Sequence, residues 1–277
     1  MNLISINPTN NKILESHKEI SKNSINQIIN SSYNTYLEWR NKSISYRSKK
    51  MKNLAKLLKQ RKEELGALMT QEMGKPINQS IAEAEKCAWV CEYYADNAGQ
   101  FLSKKEISTD SKKSFISFQP IGLVLAIMPW NFPFWQVFRF ASPILMAGNV
   151  GILKHASNVQ GCAKEIEKLF LEAGFPDNAF SNLVIGSNKV SNVINNPLVK
   201  AVTLTGSTPA GKSVASLAGS LLKKTVLELG GNDPYIILED ADLNNAAESC
   251  IAGRMLNAGQ SCIAAKRFII IESVFEK

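Results

Sequence analysis

The chain has little histidine and no regular cysteine framework. Two of its 277 residues are His, and neither adjoins a pair of cysteines, so a zinc site of the Cys/His type is not expected. The five cysteines are Cys87, Cys91, Cys162, Cys250 and Cys262. An odd number without framework spacing excludes a disulfide scaffold and points to a reducing compartment. No run reaches the roughly 18 apolar residues of a spanning helix. Residues 1–8 (Met1-Asn2-Leu3-Ile4-Ser5-Ile6-Asn7-Pro8) have neither the charged start nor the apolar stretch of a secretory leader. The expectation is a cytoplasmic protein without a membrane partner. Long charge runs are missing too. The net charge is +8, but the lysines are scattered, in short pairs such as Lys49-Lys50 and Lys223-Lys224, without interleaved aromatics. A nucleic-acid partner is therefore not expected, while a basic surface suits anionic substrates and phosphates. What is present, 45% hydrophobic and 20% charged residues, is the balance of an ordinary globular protein.

Residues 1–20 read as polar and irregular. From Ser24 to Glu64 apolar residues recur at helical spacing (Tyr36 and Trp39, then Met51, Leu54, Leu57 and Leu58). A helix over about Leu65–Glu72 should stop at Gly74-Lys75-Pro76. Another should run from Ile81 to about Phe101, with Ala84, Ala88, Cys91 and Ala95 on its core face. Residues 103–113 are charged and turn-like, and Phe115–Phe118 reads as a strand. The pattern then changes. Short apolar runs at 124–127, 151–153, 183–185, 202–204, 226–227 and 235–238 alternate with helical segments such as Val159–Ala173. Such alternation predicts an α/β fold with a parallel sheet covered on both faces, whose ligands bind at the carboxyl ends of the strands.

Several motifs fall at those ends. Pro129-Trp130-Asn131-Phe132-Pro133 makes a rigid loop. Asn131 can donate to a developing oxyanion, or it can simply cap the next helix, which spacing alone favours. Asn131, Trp135 and Arg139 are four apart and should share a helix face. Arg139, between Phe138 and Phe140, either pairs with a Glu or clamps a substrate carboxylate. Lys154-His155-Ala156-Ser157 offers a ribose or phosphate contact, or else an exposed lysine and an N-cap serine. Gly206-Ser207-Thr208-Pro209-Ala210-Gly211-Lys212-Ser213 matches G-x-x-x-x-G-K-[ST] between a strand and a helix, the pattern of a nucleotide-hydrolysing P-loop. Pro209, however, would remove one of the backbone donors such a cradle uses.

The stretch Leu227–Cys262 carries the sharpest chemistry. It opens with Glu228-Leu229-Gly230-Gly231 and closes with Gly259-Gln260-Ser261-Cys262. A thiol nucleophile and a carboxylate base are what is needed to form a thioester and then hydrolyse it. Each alone has a plainer reading, as a paired structural carboxylate and a small buried hydrophobe.

Taken together, the five motifs resemble the aldehyde dehydrogenase superfamily from about Ala55 onward, and within it the bacterial succinate-semialdehyde dehydrogenases. The branch resemblance lies in Leu153–Val159 and Ala264–Ile270. It implies roles. Cys262 would attack the aldehyde, Asn131 and the Cys262 N–H would hold the oxyanion, and Glu228 would activate water. Pro129, Trp130, Lys154, Ser157, Gly206, Ser207, Gly211 and Leu229 would surround the dinucleotide, and Trp135 and Arg139 would line the substrate tunnel. Gly206–Ser213 would then be the family's Gly-Ser-Thr turn, with Lys212-Ser213 coincidental. Ser157 stands where many NAD-using members have a Glu, so NADP is expected in preference to NAD. The resemblance implies a Rossmann-like cofactor domain with N-terminal helices at 1–231, with 103–120 a candidate oligomerisation strand region. Residues 232–277 would begin a second α/β catalytic domain. Family members continue far past the nucleophile, whereas this chain ends fifteen residues after Cys262 (277 − 262). Ala264–Ile271 would then be a central strand without neighbours. The resemblance implies a homo-oligomer when complete, with a separate C-terminal polypeptide or an inactive dinucleotide-binding remnant as the alternatives.

Overall fold

The structure, a computed structural model, describes residues 2–277. An antiparallel hairpin opens it, β1 (Asn2–Ile6) with β2 (Ile13–Lys18). The irregular segment expected at 1–20 is thus ordered. Its alternation is real, with Leu3 and Ser5 buried, but exposed Ile4 and Ile6 blur it in the sequence. Two helices, α1 (Lys22–Trp39) and α2 (Ile44–Gln60), follow where one helical stretch reads from sequence, and α3 (Lys62–Met73) contains the helix expected over Leu65–Glu72. Ser21 and Ser43 start the first two, each hydroxyl accepting from a backbone N–H three residues on, at 3.0 and 3.1 Å. Gly74 ends α3 at φ +84°, and a Cβ there would lie 2.6 Å from the Pro8 ring, so only glycine fits. Next comes α4 (Ile77–Phe101), which buries Ala84, Ala88, Cys91 and Ala95 as its periodicity predicts. β3 (Lys105–Glu106) and β4 (Phe115–Ile116) form a short exposed hairpin, smaller than the strand expected at Phe115–Phe118.

The alternating part is β5 (Leu123–Met128), α5 (Trp135–Met146), β6 (Val150–His155), α6 (Gln160–Glu172), β7 (Phe180–Asn182), α7 (Val190–Asn195), β8 (Val199–Thr205), α8 (Thr208–Ser220) and β9 (Lys224–Glu228). Their five strands form one parallel sheet in the order β7-β6-β5-β8-β9. The chain leaves β5 toward one edge and returns as β8 on its other side, so the order reverses between β5 and β8, where such sheets bind ligands. The run 183–185 is not a strand. Leu183 and Ile185 are buried, but Ile185 N–H donates to the Leu183 carbonyl at 2.9 Å, so the chain turns there and the ladder lies three residues earlier. Beneath the sheet Phe134, Phe138, Phe170 and Phe180 stack in succession, closing to 4.4 Å between the last two rings.

The strands after residue 233 form a separate two-stranded sheet. β10 (Pro234–Ile237) is not part of the main sheet. It pairs in parallel with β11 (Arg267–Ile270), and α9 (Leu243–Met255) and α10 (Glu272–Phe275) accompany them. The strand expected at Ala264–Ile271 is shorter and has one neighbour rather than none. Ala264 and Ala265 are buried in the turn before it. Among the described residues no helix is long and apolar enough to cross a membrane.

Candidate active site

The loop after β5 is held from two sides. His155, at the end of β6, is fully buried. Its Nδ1 accepts from the Ala156 N–H at 2.9 Å, which leaves Nε2–H to donate to the Pro133 carbonyl at 2.8 Å. Burial pushes the His155 pKa down to about 4, so the neutral ring makes these bonds. From the opposite side, Glu83 of α4 accepts from the Phe134 and Trp135 N–H groups, both at 2.8 Å. This carboxylate caps α5, so Asn131 does not. Glu83 is itself buried and ion-paired with buried Lys75, whose ammonium lies 4.9 Å from the Phe132 ring centroid. Asn131 lies before α5, so the shared helix face contains Trp135 and Arg139 only.

Asn131 instead ties the β5 loop to the turn bearing Cys262. Its Nδ2 donates to the Gln260 carbonyl at 2.7 Å, and its own carbonyl accepts from Asn257 Nδ2 at 2.6 Å. Asn257, Ala258 and Gly259 all adopt left-handed φ values of 58°, 55° and 72°, which reverse the chain between α9 and Cys262. The Asn257 N–H is anchored on Gln79 Oε1 of α4 at 2.7 Å. Gln79 and Glu83 are one turn apart, so one face of α4 fixes both the turn bearing Cys262 and the β5 loop.

Cys262 is half-buried and lines a cavity of about 260 Å³ together with Phe132, Trp135, Arg139 and Lys86. Arg139 Nη1 lies 3.8 Å from Glu228 Oε1. That separation is too long for a hydrogen bond, and both groups are substantially exposed, so the pair is weak. Glu228 closes β9, its carbonyl accepting from the Gly206 N–H at 3.0 Å. Of the two readings of Glu228 and Arg139, the structure shows a pair, loose enough to exchange partners.

The residues expected to face a dinucleotide flank the switch point. Pro129 is half-buried and Trp130 is 38% exposed. Lys154 is half-buried at the end of β6 without an ion-pair partner among the described residues, and burial lowers its pKa. Such an orphaned ammonium suits an anionic ligand. Ser157 is exposed and caps nothing, because α6 begins at Gln160 and Glu72 takes the Gly161 and Cys162 N–H groups at 2.9 and 2.8 Å. The N-terminus of α6 is thus occupied, whereas that of α8 is open. Ser207 is its exposed N-cap, with the hydroxyl accepting weakly from the Ala210 N–H at 3.4 Å. A Cβ on Gly211 would lie 2.5 Å from Leu229 Cδ2, so this glycine lets α8 pack against Leu229.

The P-loop reading fails on the same geometry. The helix starts at Thr208, so Gly211 and Lys212 lie a turn inside it. The Gly211 N–H is spent on the Ser207 carbonyl at 2.9 Å, and Lys212 and Ser213 are exposed. No phosphate cradle forms. Sequence reasoning missed Gln79, Glu83, His155 and Asn257. A charged Glu83 on the apolar face of α4 was the one legible signal.

A family model described as the aldehyde dehydrogenase family matches residues 2–277. Over 277 residues the chain is 50% identical to a probable succinate-semialdehyde dehydrogenase [NADP(+)] of Synechocystis sp., covering all of this chain and 61% of the relative. It is 44% identical to a succinate semialdehyde dehydrogenase [NAD(P)+] of Escherichia coli, covering 98% of this chain and 59% of the relative. The solved succinic semialdehyde dehydrogenase of Streptococcus pyogenes, in complex with NADP+, superposes with a TM-score of 0.96 at 36% identity. The match covers 99% of this chain and 60% of that one. The chain thus spans about 60% of the length of the relatives it matches.

Proposed function

This chain belongs to the aldehyde dehydrogenase family, and from that membership we propose that it serves the NADP-dependent oxidation of an aldehyde bearing a distal carboxylate, succinate semialdehyde foremost. The observation that carries the reading is one cavity lined by both a thiol, Cys262, and a loosely held guanidinium, Arg139. Cys262 adds to the aldehyde carbon as thiolate. The oxyanion is met by the Cys262 N–H and by Asn131, whose amide keeps a second N–H after bonding Gln260. A nicotinamide dinucleotide bound beside Lys154 and Ser157 would supply the hydride acceptor that conversion of the Cys262 thiohemiacetal to a thioester requires. Glu228 then takes a proton from water, which attacks the thioester carbon and releases the acid and the Cys262 thiol. Arg139 engages the distal carboxylate, and in doing so it releases Glu228 for this step. The unpaired Lys154 and the small, neutral Ser157 leave room for a 2′-phosphate, which supports NADP over NAD. The relatives named for NADP are consistent with that preference.

Exposed apolar surface on β10 and β11 favours a second reading, in which this chain binds dinucleotide without turnover unless a further segment, on the same or a separate polypeptide, covers that surface. A homo-oligomer and a cytoplasmic location belong to the same proposal. The test is steady-state kcat/KM for succinate semialdehyde against butanal, in the unmodified protein and in Arg139→Ala. The preference for the acid aldehyde should fall by roughly 10–100-fold, the size expected for a charge-assisted pair. An unchanged preference would make Arg139 structural. NADP binding without reduction for either aldehyde would favour the second reading.

A further inference from the structure

A second cation stands at the wall of the Cys262 cavity. Lys86 belongs to α4, seven residues beyond Gln79 and therefore on the same face. Its ammonium lies 4.0 Å from the centroid of the Trp135 ring. Trp135 begins α5, Arg139 follows one turn later on the same side, and both line the cavity with Lys86. The two cations are differently engaged. Arg139 is shared with Glu228, whereas Lys86 has no acidic group within 4 Å among the described residues. Its neighbour Glu83 is committed to Lys75 and to the start of α5, and Glu85 is paired with Lys62. An aromatic face holds an ammonium in place without neutralising it. Lys86 is therefore a preorganised, uncompensated charge beside an opening that already contains the thiol and the guanidinium.

Resting on the function proposed above, we propose that Lys86 is a substrate-binding residue, gripping the distal carboxylate of the acid aldehyde opposite Arg139. The division of labour follows from the pairing. A carboxylate that arrives between them meets full charge from Lys86 at once, and draws Arg139 from Glu228 as it settles. In the opposing reading Lys86 is a solvated lysine resting on an indole, and its charge has no influence on what reaches Cys262.

Alkylation of the thiol separates the two without requiring turnover. Iodoacetate carries a carboxylate and iodoacetamide does not, while both alkylate the same sulfur. The ratio of their rates therefore reports attraction of an anion rather than thiol reactivity. Cys87, Cys91 and Cys162 are buried, and half-buried Cys250 serves as an internal reference, each site being read by peptide mass spectrometry. The iodoacetate/iodoacetamide ratio should be higher at Cys262 than at Cys250. Lys86→Met, which keeps the apolar stem over Trp135, should lower it three- to tenfold at Cys262 and leave it unchanged at Cys250. Lys86→Arg should preserve it. A ratio at Cys262 that Lys86→Met leaves unchanged overturns the proposal while the parent function stands. If Cys262 of the unmodified protein reacts no faster than Cys250 with iodoacetamide, the nucleophile assignment fails, and the proposal falls with it. A matching thermal transition in Lys86→Met and the parent excludes misfolding as the cause of a lowered ratio.

Discussion

β5 and β10 are both short apolar strands in parallel ladders, yet one is buried almost throughout and the other is not. β5 lies between β6 and β8 with helices over the sheet, and five of its six residues are buried. β10 has β11 alone as partner, and Ile236 remains 63% exposed. The helices repeat the contrast. α4 buries a continuous stripe, whereas α9 buries none of its thirteen residues. A cavity of about 500 Å³ lined by Ile237, Phe268, Ile270 and Val274 stands where a core would be. Local pattern makes a strand or a helix in both regions, but it makes a core only where layers exist on both faces. Cys262, the proposed nucleophile, belongs to the open region. Its turn is stitched to the closed one by Asn257, Asn131 and Gln79, so the candidate site is also the join.

The contrast is broken most sharply by a pair of truncations. Phe170 is 1% exposed and touches three aromatic rings. Phe170→Ala should cost about 3–5 kcal/mol by urea unfolding. Phe268 is 43% exposed with Tyr235 as its aromatic neighbour, so Phe268→Ala should cost about 1 kcal/mol or less. Equal costs would mean that the second region shares the core and that the contrast is false.

Acid should then act on the closed region through His155. Its folded pKa of about 4 lies below the ordinary 6.5 because burial disfavours the cation. Between those values the unfolded chain binds more protons than the folded one, so stability is full above pH 6.5 and falls as pH drops toward 4. The full loss is about 3 kcal/mol. His17 also titrates low, so the measurement is a difference. Unfolding midpoints at pH 7 and 4.5 should converge more in His155→Gln than in the parent. An identical pH slope in both would remove His155 as the acid-sensitive brace of the β5 loop.

The sheet was legible in the sequence because apolar runs alternate with helical periods, and four of the six runs (124–127, 151–153, 202–204 and 226–227) fall on its strands. Strand-end motifs and family resemblance pointed to candidate site residues, and the structure places several of them, Trp135, Arg139 and Cys262, around one cavity. The failures have physical reasons. In the run 183–185 Leu183 and Ile185 are buried, but only the Leu183 N–H still bonds β6, at the Leu153 carbonyl, before the turn at Ile185 ends the ladder. The P-loop match was a string without its loop, since the helix starts three residues before Gly211. Asn131 was separated from α5 by a cap that comes from Glu83, 51 residues before the Phe134 N–H it accepts from. Asn257 offered no pattern, because its importance lies in a backbone conformation and in partners on other elements.

That backbone conformation yields the smallest effect. Ala258 sits at φ 55°, where an L residue with a Cβ is strained, between Asn257, a type that tolerates the region, and Gly259, which is free in it. Ala258→Gly removes the Cβ penalty but gives the unfolded chain more freedom, and the two oppose each other. The penalty is about 1–2 kcal/mol, and the entropic loss is about 0.4–1 kcal/mol. The net should be a stabilisation of about 0.5–1 kcal/mol. Because this turn is the join between the two regions, the gain should appear as slower amide exchange across 257–262 and leave the β5–β8 ladder unaffected. If exchange instead quickens across 257–262, rigidity at Ala258 outweighs its strain, and the turn is held by its side-chain bonds to Asn131 and Gln79 in spite of its backbone.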